Sequence, residues 1–172
     1  VTAKSNGVAD LALTSLGAVQ GTLKVDYAGS VLKASGNIAT QGFTSALNVQ
    51  ASQKSGWAGT ARVTGGPNGL LSQPAELKVG GPLGQPLLTG QAGLLGAQAR
   101  IVASQKLVNV RLVDGPGATA SGAVQLQPDA AGQWRWSGAT SLTRPELSLS
   151  VTPSGPLADP QVILSVRRGE WR

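Results

Sequence analysis

Apolar and polar residues alternate one for one in ten short runs of this 172-residue chain. Leu23, Val25 and Tyr27 are separated by Lys24 and Asp26; Leu47 and Val49 flank Asn48; Ala61 and Val63 flank Arg62; Leu77 and Val79 flank Lys78. Ala99 and Ile101 flank Arg100, and Val108, Val110 and Leu112 alternate with Asn109 and Arg111. Val124 and Leu126 flank Gln125, Trp134 and Trp136 flank Arg135, and Leu147, Leu149 and Val151 alternate with Ser148 and Ser150. Val162, Leu164 and Val166 close the series. A period of two is that of a strand with one apolar face. Helical periodicity has little room, because Gly and Pro interrupt nearly every window of sufficient length. Residues 8–16 fit a helix or a strand equally well.

The punctuation between the runs is turn chemistry. Gly29-Ser30, Gly36-Asn37, Gly65-Gly66-Pro67-Asn68-Gly69, Gly80-Gly81-Pro82, Asp114-Gly115-Pro116-Gly117, Pro128-Asp129-Ala130-Ala131-Gly132 and Arg144-Pro145 read as turns. Residues 65–74 and 82–95 read as the longest irregular stretches. Short links favour antiparallel neighbours. The pattern predicts an all-β fold: a long, curled antiparallel sheet (β-taco or solenoid-like) with a one-sided apolar interior. A closed sandwich or barrel, hiding the same face in its own core, is the alternative. One phrase occurs twice, as Gly81-Pro82-Leu83-Gly84-Gln85-Pro86 and as Gly155-Pro156-Leu157-Ala158-Asp159-Pro160, each feeding an apolar segment. A repeated turn implies a repeated unit rather than a unique site. Residues 1–172 are expected to form a single β-repeat segment of a longer chain, since the sequence lacks Met and runs from Val1 to Trp171-Arg172.

Composition narrows the chemistry. Apolar residues make up 41% of the chain but aromatics only 3%, so the apolar surface is aliphatic. The 24 Gly and 10 Pro follow no Gly-x-y period and signal turns, not collagen. The net charge of +6 comes from scattered Lys and Arg without a basic run, so no nucleic-acid partner is expected. Cys and His are absent, which removes disulfides and the usual nucleophile–base pairs. The acids sit in turns (Asp114, Asp129, Asp159) or on polar strand positions (Asp26, Glu76), where carboxylates accept backbone hydrogen bonds or face solvent. No calcium loop or phosphate loop is present. The chain reads as a non-enzyme that needs no cofactor or metal. Trp134 and Trp136 fit a stacking platform for a sugar or single-stranded nucleic acid, or an interfacial anchor, but their spacing puts both on the apolar face. Trp57 reads as a packing residue, and Trp171 as one lying at an edge.

At Gly155-Pro156-Leu157-Ala158-Asp159-Pro160-Gln161-Val162 the chain resembles the TamB/AsmA-like family of bacterial envelope proteins, whose repeats run from a Leu through a short turn and Pro into an alternating strand. The copy at residues 81–86 carries Gln85 in place of the Asp, and residues 19–25 and 121–126 look like the family's strands. The resemblance implies a segment of a periplasm-spanning hydrophobic groove that carries phospholipid between the inner and outer membranes. It also implies a role in outer-membrane protein assembly with a β-barrel partner. The parent chain would then be anchored in the inner membrane, with this segment in the periplasm. Phospholipid acyl chains would lie against Leu23, Val25, Tyr27, Leu47, Val49, Leu77, Val79, Ile101, Val108, Val110, Leu112, Val124, Leu126, Trp134, Trp136, Leu147, Leu149, Val151, Val162, Leu164 and Val166. The competing expectation is a structural β-solenoid or sandwich of a surface or fibre protein, whose apolar face is its core. A third is a carbohydrate-binding module built on Trp134 and Trp136.

Overall fold

A computed structural model describes the backbone of residues 7–16, 19–40, 42–66 and 71–169, and the side chains of 20–39, 42–66 and 71–169. Every regular element among these residues is a strand. The chain divides into two units, Val1–Leu88 and Thr89–Arg172. The first holds β1 (Gly7–Leu16), β2 (Val19–Ala28), β3 (Val31–Thr40), β4 (Phe43–Ser52), β5 (Gly56–Gly65) and β6 (Leu71–Gly80). β7 (Leu87–Leu94) begins at its end and runs into the second unit. That unit continues with β8 (Ala97–Ser104), β9 (Leu107–Val113), β10 (Thr119–Pro128), β11 (Trp134–Arg144), β12 (Leu147–Pro156) and β13 (Gln161–Arg168). Within each unit strand order follows chain order, as short links dictate. The pairings from β1 to β6 and from β8 to β13 are antiparallel. β1 and β13 each have a single neighbour, so neither unit closes into a barrel.

Three expectations change. Gly36-Asn37 is not a turn but the middle of β3, where Gly36 pairs with Leu23 on one side and Leu47 on the other. A Cβ on Gly36 would collide with the Thr22 carbonyl, so glycine is what lets the two strands approach there. Leu32, Ala34, Gly36 and Ile38 share one face of β3, and the two small members hide the alternation from the sequence. The supposed irregular stretch 82–95 contains β7, whose LLTGQAGL sequence is masked by small residues in the same way. The stretch 65–74 is shorter than expected because β6 already starts at Leu71 and includes Pro74. Residues 8–16, ambiguous in sequence, are strand. Pro67, Asn68, Gly69 and Trp171 lie outside the described residues.

The duplicated turn is duplicated in three dimensions. Gly81 and Gly155 both have left-handed backbones, φ 97° and 87°. In both copies an N–H three residues on closes the same turn: Gln85 donates to the Pro82 carbonyl at 3.0 Å, and Asp159 to the Pro156 carbonyl at 3.1 Å. In both, a tryptophan-bearing strand holds the turn. Trp57 donates its backbone N–H to the Gly81 carbonyl at 2.8 Å and its indole N–H to the Leu83 carbonyl at 3.1 Å. Leu157, the counterpart of Leu83, donates to the Trp134 carbonyl at 2.7 Å. The left-handed glycine recurs because a Cβ is strained at that φ.

Each unit is a sheet one layer thick. The buried apolar residues with side chains are Ala51, Ala61, Ala75, Ala92, Ala97, Ala99, Leu112, Leu126, Leu142 and Pro153, and no large side chain is fully buried among the described residues. The chain exposes 11501 Å². A compact protein of its 17.3 kDa would expose about 7,800 Å², and two separate compact halves about 9,400 Å². A sheet one layer thick exposes more surface than a compact fold of the same mass.

Candidate functional site: an open apolar face

Cross-strand partners in an antiparallel pair point to the same side of the sheet, so the register decides which side chains share a face. In the first unit Leu23, Val25 and Tyr27 pair with Gly36, Ala34 and Leu32. Those three pair with Leu47, Val49 and Ala51. These pair in turn with Ala61, Gly59 and Trp57, and Ala61 and Gly59 with Leu77 and Val79. The seven expected lining residues of this unit, Leu23, Val25, Tyr27, Leu47, Val49, Leu77 and Val79, therefore stand on one face. The opposite face carries Lys24, Asp26, Lys33, Ser35, Asn48, Gln50, Thr60, Arg62, Glu76 and Lys78.

The second unit repeats the arrangement. Ile101 pairs with Val110, which pairs with Val124; Val108 pairs with Leu126, which pairs with Trp136. Leu112 pairs with Ala99, and Trp134 with Pro128. Leu142, Leu149 and Val166 form one row across β11, β12 and β13; Thr140, Val151 and Leu164 form the next. Leu147 and Val162 belong to the same face through Arg168 and Pro153. All fourteen expected lining residues of this unit, from Ile101 to Val166, thus stand on one face.

Burial follows the face. Along β4 the pattern alternates strictly, with Phe43, Ser45, Leu47 and Val49 half-buried and Thr44, Ala46, Asn48 and Gln50 exposed. Side chains on this face shield one another through their cross-strand neighbours. Leu112 and Leu126 are buried outright; Tyr27, Val162, Leu164 and Val166 are exposed. β13 is exposed throughout because one of its edges is unpaired.

Sequence reasoning missed several members of this face: Leu32, Ile38, Phe43, Trp57, Leu142, Pro153 and, unexpectedly for an apolar surface, Arg144. Leu142 and Arg144 keep the even-numbered phase of Trp134 and Trp136, but Gly138 and Thr140 break the visible alternation. Pro153 falls opposite Gly138 by register; it lacks an N–H, and the β11–β12 pairing is interrupted there. The Nε of Arg144 is shielded from solvent and has no hydrogen-bond partner.

Asp114, Asp129 and Glu76 serve turns and surface pairs. Asp114 Oδ1 accepts the Ala120 N–H at 2.8 Å. Asp129 Oδ1 accepts the N–H groups of Ala131 and Gln133 at 2.9 and 3.0 Å. Glu76 lies 3.6 Å from Arg62, with both side chains mostly exposed. A shallow depression of about 390 Å³ lies among Lys33, Asn48, Gln50, Ala58, Gly59 and Thr60, and its polar side chains belong to the polar face. Among the described residues no helix is long and apolar enough to cross a membrane. Compared with known proteins, the chain matches no family model, no curated protein and no solved structure.

Proposed function

We propose that this chain is a segment of a hydrophobic groove that holds and conducts phospholipid acyl chains, as the TamB/AsmA-like resemblance of its duplicated turn suggests. One observation carries the reading: in both units the cross-strand register gathers the aliphatic side chains onto a single face that no second layer of the same unit covers. Such a face takes up alkyl chains without specific hydrogen bonds, at ~0.8 kcal/mol per CH₂ removed from water. The polar face keeps the sheet in solution. A place in the periplasm, an inner-membrane anchor in the parent chain and an outer-membrane barrel partner belong to the same proposal and rest on the resemblance.

The experiment is native mass spectrometry of the purified protein with added phospholipid, alongside titration with a fluorescent fatty acid. The wild type is expected to bind both. Leu149→Asp, in the row between Leu142 and Val166, is expected to lower binding at least about tenfold while circular dichroism still reports strands. If the wild type takes up neither probe, the groove reading fails. If Leu149→Asp unfolds the protein, the face is a core, because an unpaired buried carboxylate is strongly unfavourable. The chain would then be a structural β-domain, a reading favoured by β13, whose Ile163 adds apolar surface to the polar face.

A further inference from the structure

We propose that Arg144 and Arg168 form a head-group site at one end of the second unit's apolar face, selecting amphiphiles that carry a phosphate. The inference rests on the groove reading and adds to it the residues that meet the head group. Arg144 pairs with Leu147, and Leu147 pairs with Arg168, so the three form one row across β11, β12 and β13. The two arginine Cα atoms are roughly 9.6 Å apart, two strand spacings. Guanidinium groups on side chains of that length reach a shared anion between them. The next row on the same face is Leu142, Leu149 and Val166, followed by Thr140, Val151 and Leu164, then Pro153 and Val162. From the arginine row to the Pro153 row is six residues along the strand, about 20 Å. One leaflet of a bilayer's hydrocarbon core is about 15 Å thick, so a lipid tail lies within that span.

Among the described residues neither arginine has an acidic partner, whereas Arg135, on the opposite face, has Asp129 at 3.9 Å. The shielded Nε–H of Arg144 is an unmet donor, and leaving such a group unpaired is unfavourable. That atom is as closed to a ligand as to water, so a phosphate would meet the outer N–H groups of the guanidinium, through parallel, charge-assisted hydrogen bonds. A charged end beside a largely aliphatic field matches a ligand with an anionic head and an alkyl tail.

The test is calorimetric titration at low ionic strength with decyl phosphate, decyl maltoside and inorganic phosphate. Decyl phosphate is expected to bind about tenfold more tightly than decyl maltoside, and inorganic phosphate more weakly than either. The double variant Arg144→Gln/Arg168→Gln should bring decyl phosphate down to the maltoside's affinity and leave the maltoside unchanged. Equal affinity of the two amphiphiles for the wild type, or no loss in the variant, overturns the head-group site and leaves the groove standing. Inorganic phosphate binding as tightly as decyl phosphate marks a free-phosphate site and overturns the amphiphile assignment. If no amphiphile binds, both readings fall. The wild-type comparison needs no variant, so the test survives a double variant that fails to fold.

Discussion

The two units follow one plan and pack it differently. The first buries only small residues: Ala51, Ala61 and Ala75. Each sits beside larger partners, Ala51 opposite Trp57, Ala61 between Leu47 and Leu77, and Ala75 opposite Val63. The second unit also buries leucines, Leu112, Leu126 and Leu142; Leu126 lies opposite Trp136 and Leu142 opposite Leu149, where large side chains meet, while Leu112 lies opposite Ala99. The polar faces differ as well. In the first unit Asp26 is opposed to Lys33 and Arg62 to Glu76. In the second, Arg100 is opposed to Arg111, and the described acids of that unit lie between strands. Opposite charges across strands favour a pairing and like charges oppose it. The first unit thus draws register support from its polar face, and the second draws its support from aliphatic packing.

The largest effect should separate the packing. Leu142→Ala is expected to cost about 2–3 kcal/mol, as truncation of a leucine only 3% exposed does. Leu47→Ala, half-buried, should cost about 1 kcal/mol. Urea unfolding of the two variants checks this, and equal costs would erase the packing difference. Next come the duplicated turns. A Cβ at Gly81 would stand 2.6 Å from the Gln85 carbonyl oxygen, and one at Gly155 3.2 Å from that of Asp159. Gly81→Ala should therefore destabilise by about 2 kcal/mol and Gly155→Ala by about 1 kcal/mol, read as shifts in thermal midpoint. A reversed order would mean that the turns are not held alike.

Smaller effects test the polar faces. Arg100→Glu should stabilise by about 0.5 kcal/mol, replacing a like-charge pair with an ion pair, and Arg62→Glu should destabilise by about as much. Both effects should shrink in high salt; a stability change that ignores salt would show that charge is not its cause. The smallest change in stability, within about 0.5 kcal/mol, is expected for Ile163→Lys at a side chain 70% exposed. Its effect should appear instead in sedimentation velocity, as weaker self-association through the unpaired edge of β13, since lysine protects sheet edges.

Where the apolar positions are large, the face was legible from the sequence, as at Leu147, Leu149 and Val151. Strands β3 and β7 were not, because Ala34, Gly36, Gly90 and Ala92 carry no hydrophobic signal alone. They belong to their strands because larger neighbours supply the bulk: Gly36 is flanked by Leu23 and Leu47. The turn at Gly81 and Gly155 was legible because both glycines recur in the same phrase with the same prolines. Arg144 was invisible as a member of the apolar face, since its place depends on β11 continuing in phase past Gly138.

By itself, then, the sequence determined the local states: strands with one aliphatic side, antiparallel links, and a glycine–proline turn used twice. These follow from side-chain alternation and backbone sterics, which act within a few residues. The tertiary structure decided which strands stand beside which, and through the register that twenty-one separate residues form one face in each unit, seven in the first and fourteen in the second. It also decided that no second layer of the same unit covers that face, and that Arg144 and Arg168 stand in the last row of the second unit's face. Those are properties of pairing between segments, and no single segment encodes them.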